Sequence, residues 1–166
     1  MRLFIAVEFP DAMKKDLLAI LHDLKQAGVK GSYMPAANLH LTLAFIGETR
    51  QAEDIKKVMD QVKFSPFKLA LTEPGKFGDL LWVGVKGNQG LKGVVRDLRA
   101  GLEAAGIPYD KKEFKPHITL IRKMTGNMPG NLHIKKTDMM VKKISLMKSE
   151  NRNGKMVYTE IYSIRS

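Results

Sequence analysis

Cysteine is absent from this 166-residue chain. No disulfide framework and no thiolate zinc site can be built from it, so the class of small disulfide-stapled secreted scaffolds loses its main support. Long hydrophobic runs are missing as well. The apolar stretch at the start, LFIAV, is interrupted by Glu8 and Pro10. It neither reads as a signal peptide nor approaches the length of a bilayer span, and the expectation is a soluble, cytoplasmic protein with no membrane association. Acidic residues are in deficit: 17 Asp and Glu stand against 28 Lys and Arg, a formal net charge of +11. Such a field favours polyanions, nucleic acid first among them, although charge alone does not establish the ligand. Histidine is scarce, at 4 residues.

What is present suits a folded domain. Apolar residues make up 44% and charged residues 27%, near the average for soluble globular proteins, and the length allows one compact unit with a real core. LFIAVEF (3–9) reads as a strand. A helix follows from Pro10-Asp11, with Met13, Leu17, Leu21 and Leu24 at helical spacing before Gly28. After the turn-rich GVKGSYMPAAN comes an alternating strand, LHLTLAF (39–45), then a helix over 51–62 with Ile55, Val58, Met59 and Val62 on one face. FKLAL (67–71) and LLWVGV (80–85) read as strands joined by EPGKFGD as a loop. A helix over 89–105 carries Leu91, Val94, Val95, Leu98 and Leu102, and Gly106-Ile107-Pro108 stops it. PHITLI (116–121) is a strand, and the final strands, 139–148 and 155–164, are joined by SENRNG as a hairpin.

The two halves echo one another. LFIAV, a helix and HLTL are repeated as LWVGV, a helix and HITL; Leu3 to His40 spans 37 positions and Leu81 to His117 spans 36. Two copies are too few for a solenoid. The expected architecture is α+β: two pseudo-symmetric lobes, each a sheet covered by helices on its outer side, with equivalent strands facing across a cleft.

Strand alternation sends His40 and Thr42 to one face of the first motif, and His117 and Thr119 to one face of the second. Residues two apart on a strand have Cα atoms roughly 6.5–7 Å apart, so each His–Thr pair can hold one small group, such as a phosphate, between its side chains. Two imidazoles supply a base for an attacking water and an acid for a departing ribose oxygen, and the Thr hydroxyls can donate to non-bridging oxygens. A lone HxT in a strand usually means a histidine at a sheet edge. Two copies at equivalent points of a repeat, using two of four histidines, outweigh that reading. A metal pair is disfavoured, since Thr is a poor zinc ligand and no HxH or HExxH accompanies these residues. His22 and His133 read as surface residues and Phe4 as core, while Trp82 is open between core and base-stacking platform. Arg122 could clamp a phosphate. The basic segments DKKEFK, HIKKT, VKK and KSENRNGK are candidate contacts to an RNA backbone.

On MRLFIAVEFP, NLHLTLAFIG, LLWVGV, FKPHITLIR and ISLMKSE…VYTEIYSI, the chain resembles the two-histidine phosphoesterase superfamily. Within it, the resemblance is to the bacterial and archaeal RNA 2′,3′-cyclic phosphodiesterases, historically called 2′-5′ RNA ligases. It implies a single bilobal domain over 1–166, with antiparallel sheets lining a central cleft and helices outside. It also implies hydrolysis of a 2′,3′-cyclic phosphate to a 2′-phosphomonoester, and the two-imidazole scheme calls for no metal or cofactor. His40 then corresponds to the proton donor to the leaving 3′-oxygen and His117 to the acceptor that activates water. Thr42 and Thr119 correspond to phosphate holders, and Arg122 to an Arg that follows the second motif in many members. The expected partner is RNA with a cyclic phosphate end, tRNA fragments included, or a small cyclic nucleotide, bound by a monomer. The alternatives are RNA 2′-5′ ligation, a phosphodiesterase for other 2′-5′-linked or cyclic nucleotides, and a non-catalytic RNA-binding module.

Overall fold

The structure, a computed structural model, describes residues 1–130 and 132–166. Strand β1 (Arg2–Glu8) buries Leu3, Ile5 and Val7 in the main core, with Phe4 and Ala6 on its other face. Helix α1 (Asp11–Gln26) buries Met13, Leu17, Ile20, Leu21 and Leu24, and Gly28 ends it at φ 81°. A short strand, β2 (Lys30–Tyr33), and a 3-10 turn (Ala36–Asn38) lead into β3 (His40–Glu48). Helix α2 (Ala52–Gln61) packs through Ala52, Ile55, Val58 and Met59. Then come β4 (Phe67–Phe77), β5 (Leu80–Gly87) and α3 (Gln89–Ala104), the last started by the Asn88 side chain accepting from the Gly90 N–H. Strands β6 (His117–Thr125), β7 (Asp138–Val141), β8 (Lys143–Arg152) and β9 (Lys155–Arg165) complete the chain.

The strands form two antiparallel sheets, ordered β3-β1-β8-β9 and β2-β6-β5-β4-β7. Leaving out β2, the two orders correspond strand for strand: each histidine strand, β3 or β6, lies beside the strand that opens its repeat, β1 or β5. The sheets meet where β3 runs against β6. One continuous apolar core includes residues of both sheets and all three helices. Motif alternation builds it, since Leu39, Leu41 and Leu43 from the first motif and Ile118 and Leu120 from the second are all buried there.

Three expectations need correction. The segment read as turn-rich contains β2, which pairs with β6 rather than with its own half. The expected loop EPGKFGD is mostly strand: β4 runs on to Phe77, and the turn is Gly78-Asp79. The expected strand over 139–148 is two strands in different sheets, β7 against β4 and β8 against β1, with Lys142 between them. The final hairpin turns at the Asn-Gly pair of SENRNG, as expected, with φ 53° at Asn153 and 80° at Gly154 as a two-residue primed turn requires, and its first strand runs on to Arg152.

Candidate active site

Each histidine opens its strand and is held in the same way. His40 Nδ1 lies 2.6 Å from the carbonyl oxygen of Asn38, and His117 Nδ1 lies 2.6 Å from that of Lys115. A carbonyl oxygen only accepts, so each Nδ1 carries a proton and donates. The titrating nitrogen is then Nε2 in both rings. At His40 that nitrogen lies 2.8 Å from Thr42 Oγ1. In the neutral ring it accepts from the hydroxyl, and in the imidazolium it donates to it.

Aromatic rings wall each imidazole. Phe4 and Tyr158 lie 4.8 and 5.3 Å from the His40 ring, centroid to centroid, with Tyr158 edge-on. Phe77 and Trp82 lie 5.2 and 6.2 Å from the His117 ring, with Phe77 edge-on. Trp82 fits because Gly75 lacks a side chain: a Cβ there would stand 2.2 Å from the indole. The indole Nε1 is buried without a hydrogen-bond partner among the described residues.

A cleft of about 580 Å³ joins the motifs. Thr42 and Phe45 of β3 line it together with His117 and Phe77, and the segment 110–115 closes one side with Lys112, Phe114 and Lys115. That segment is tied across the cleft, since the Asp110 N–H donates to the Phe45 carbonyl at 2.8 Å. Arg99 of α3 holds its middle by donating from Nη1 to the Lys112 carbonyl at 2.8 Å, with its guanidinium carbon 5.9 and 6.0 Å from the centroids of the Tyr109 and Phe114 rings. Electrostatics couple the halves too. The pKa of His40 lies below the ordinary histidine value, chiefly because burial penalises the imidazolium. The Asn38 carbonyl opposes that shift, and the positive charges of Arg122 and His117 reinforce it.

A sequence model of the 2′-5′ RNA ligase superfamily matches residues 9–153. The chain belongs to this superfamily. It is 33% identical over 130 residues to the RNA 2′,3′-cyclic phosphodiesterase of Archaeoglobus fulgidus, covering 74% of this chain and 72% of that one. To the protein of the same name from Aeropyrum pernix it is 34% identical over 123 residues, covering 68% and 70%. Among solved structures, Escherichia coli LigT complexed with 3′-AMP matches with a TM-score of 0.82 at 26% identity, covering 99% of this chain and 96% of that one. LigT complexed with phosphate matches with a TM-score of 0.78 at 25% identity and the same coverage.

For this superfamily member the fold expectation holds: α+β, two antiparallel sheets and a cleft where the histidine strands meet. His40 and Thr42 are hydrogen-bonded, Thr42 and His117 share the cleft, and Arg122 acts on His40 through its charge. Thr119 shares a strand face with His117, and its register partner on β5 is Trp82. Arg122 is exposed, and Lys123 beside it has a left-handed backbone at φ 54°, where the pairing of β6 with β2 shifts register. His22 and His133 are exposed, as expected. Asn131, in the segment GNLHIKKT, lies outside the described residues. Phe4 is buried but stands outside the main core, in a small cluster with Ala6 and Met147 against which Phe45 and Tyr158 pack. Trp82 is half-buried and faces its histidine.

Sequence reasoning missed Asn38, Phe77, Arg99 and Tyr158, and it took Lys115 only as part of the basic segment DKKEFK. Two of them carried a signal: Asn38 and Lys115 both stand two residues before a motif histidine, a repeat-equivalent position whose carbonyl is the Nδ1 partner.

Proposed function

We propose that this superfamily member hydrolyses 2′,3′-cyclic phosphates at RNA ends to 2′-phosphomonoesters, with His40 and His117 as its acid–base pair. The observation that carries the reading is the doubled arrangement. Two imidazoles have Nδ1 committed to a carbonyl two residues back and Nε2 left to titrate, and they stand on the strands where the sheets meet.

The proton traffic follows. His117 takes a proton from water through Nε2, and the water oxygen bonds to phosphorus. The bond from phosphorus to the 3′-oxygen breaks, and protonated His40 gives its Nε2 proton to that oxygen. Thr42, Thr119 and Arg122 hold the non-bridging oxygens, orienting phosphorus for in-line attack and stabilising the added charge. No step requires a metal ion. The donor role asks His40 to be cationic although burial disfavours that form. A phosphate anion seated beside it supplies the missing counter-charge and raises its pKa on binding. Exposed Phe77 and half-buried Trp82 beside His117, and half-buried Tyr158 beside His40, offer flat apolar surfaces suited to a nucleobase. The same reading takes the chain as one two-histidine unit acting on RNA ends, and it follows the names of the relatives.

The test is product analysis. A short RNA ending in a 2′,3′-cyclic phosphate, incubated with the protein in excess EDTA, is expected to yield a terminal 2′-phosphate. Adding an RNA with a 5′-hydroxyl tests whether that hydroxyl replaces water, in which case a joined 2′-5′ product forms. Binding of the RNA without any turnover would instead identify a non-catalytic RNA-binding module.

A further inference from the structure

The sheet ordered β3-β1-β8-β9 is open, and its outer strands β3 and β9 are not neighbours. Even so, Asn38, just ahead of β3, donates from Nδ2 to the Met156 carbonyl of β9 at 2.8 Å. By register these two residues belong to diagonally opposite corners. His40 pairs with Glu8 at one end of β1, whereas Met156 lies beyond Tyr158, which pairs through Ser149 with Arg2 at the other end. A hydrogen bond between such corners requires the sheet to coil until they meet over one face. The His40 ring lies inside that bend, against Phe4 and Tyr158.

Asn38 is buried, with 5% of its surface exposed, and its own carbonyl is the acceptor that fixes His40 Nδ1. The 3-10 turn does not need its side chain, since the backbone bonds from Asn38 to Pro35 and from Leu39 to Ala36 already close it. A buried, satisfied Asn is ordinarily just a turn residue. Here its amide instead reaches across 118 positions of sequence to the strand that carries Tyr158. The equivalent residue of the second motif, Lys115, is exposed and anchors His117 through its carbonyl alone.

We propose that Asn38 is a positioning residue for His40: its amide latches the coiled sheet closed and so holds the carbonyl that sets the tautomer and direction of the imidazole. This rests on the reading that His40 takes part in catalysis.

The test is Asn38→Asp, which keeps the shape but sets a carboxylate against the Met156 carbonyl, with Asn38→Ala as a second variant. Circular dichroism and thermal melting establish that each folds. In folded variants kcat on the cyclic-phosphate RNA is expected to fall by about tenfold or more while KM changes by less than about threefold. The ¹⁵N shifts of the His40 ring are expected to move from one tautomer towards a mixture, with those of His117 unchanged. Folded variants that keep both kcat and the His40 tautomer would overturn the proposal. So would failure of both variants to fold, because the latch would then serve the fold and not the histidine. A wild type inert on RNA whose His40 tautomer still shifts on substitution would leave the latch standing and remove the catalytic reading.

Discussion

The two half-sites share a plan and differ in enclosure. His40 sits in a closed corner: its Nε2 is bonded to its own Thr, and the far hairpin is latched over it by Asn38. His117 lies on the more open side, next to Phe77, which is 42% exposed, and to the irregular segment 110–115. Among the described residues, Thr119 makes no bond to His117 like that between Thr42 and His40. The difference shows how a duplicated motif acquires unlike chemistry. The strand pattern and the carbonyl anchor are common to both, whereas the packing laid over each histidine is not, and burial lowers the pKa of His40.

That contrast can be broken most sharply with the leaving group. An aryl phosphodiester needs no acid to release its phenolate, so His40→Ala is expected to retain most of its activity on it, while His117→Ala loses about 10²–10⁴-fold. The opposite ranking would exchange the two roles. Next in size, Thr42→Ala is expected to cost about 100-fold in kcat, and Thr119→Ala less, because only Thr42 also holds its histidine. Steady-state kinetics on the cyclic-phosphate RNA separates them, and equal losses would show the half-sites to be interchangeable.

A smaller effect concerns charge. Arg122→Ala removes a cation that disfavours the His40 imidazolium, so the His40 pKa is expected to rise towards its ordinary value in an NMR titration, with burial still keeping it below. Added inorganic phosphate is expected to move it the same way in the wild type. The smallest effect is on stability. The folded chain binds a proton at His40 less readily than the unfolded chain, whose histidine titrates near 6.5. This penalty is absent well above that pH and grows as pH falls through it. Denaturant midpoints are therefore expected to drop less on acidification in a folded His40→Gln variant than in the wild type.

Much of the site was legible because it is written in alternation. HLTL and HITL put Leu or Ile in the core and His and Thr on the opposite face, and the Asn153-Gly154 turn announced its hairpin. The errors have physical causes. β2 (KGSY) has no buried residue and therefore no alternation to read. β4 passes through Pro74-Gly75, ordinarily a break, but β7 pairs only with Phe67–Ala70, so Pro74 lies where β4 has become an edge strand, next to a register shift in its pairing with β5, and there a proline is tolerated. The change of sheet at Lys142 lies inside a continuous apolar-basic run, with no glycine or proline to mark it. Tyr158 and Phe77 reach the histidines, and the Asn38 amide reaches Met156, through sheet coiling and hairpin placement, long-range features that a local pattern does not encode.

The central claim, that two imidazoles share the proton transfers, is tested most directly by single-turnover hydrolysis of an RNA bearing a 2′,3′-cyclic phosphate. The assay runs in excess EDTA with the wild type, His40→Ala and His117→Ala. Release of a 2′-phosphate by the wild type, with each substitution costing about 10²-fold or more in a folded protein, is the predicted result. Full activity in either variant, or a wild type that EDTA silences, would contradict it.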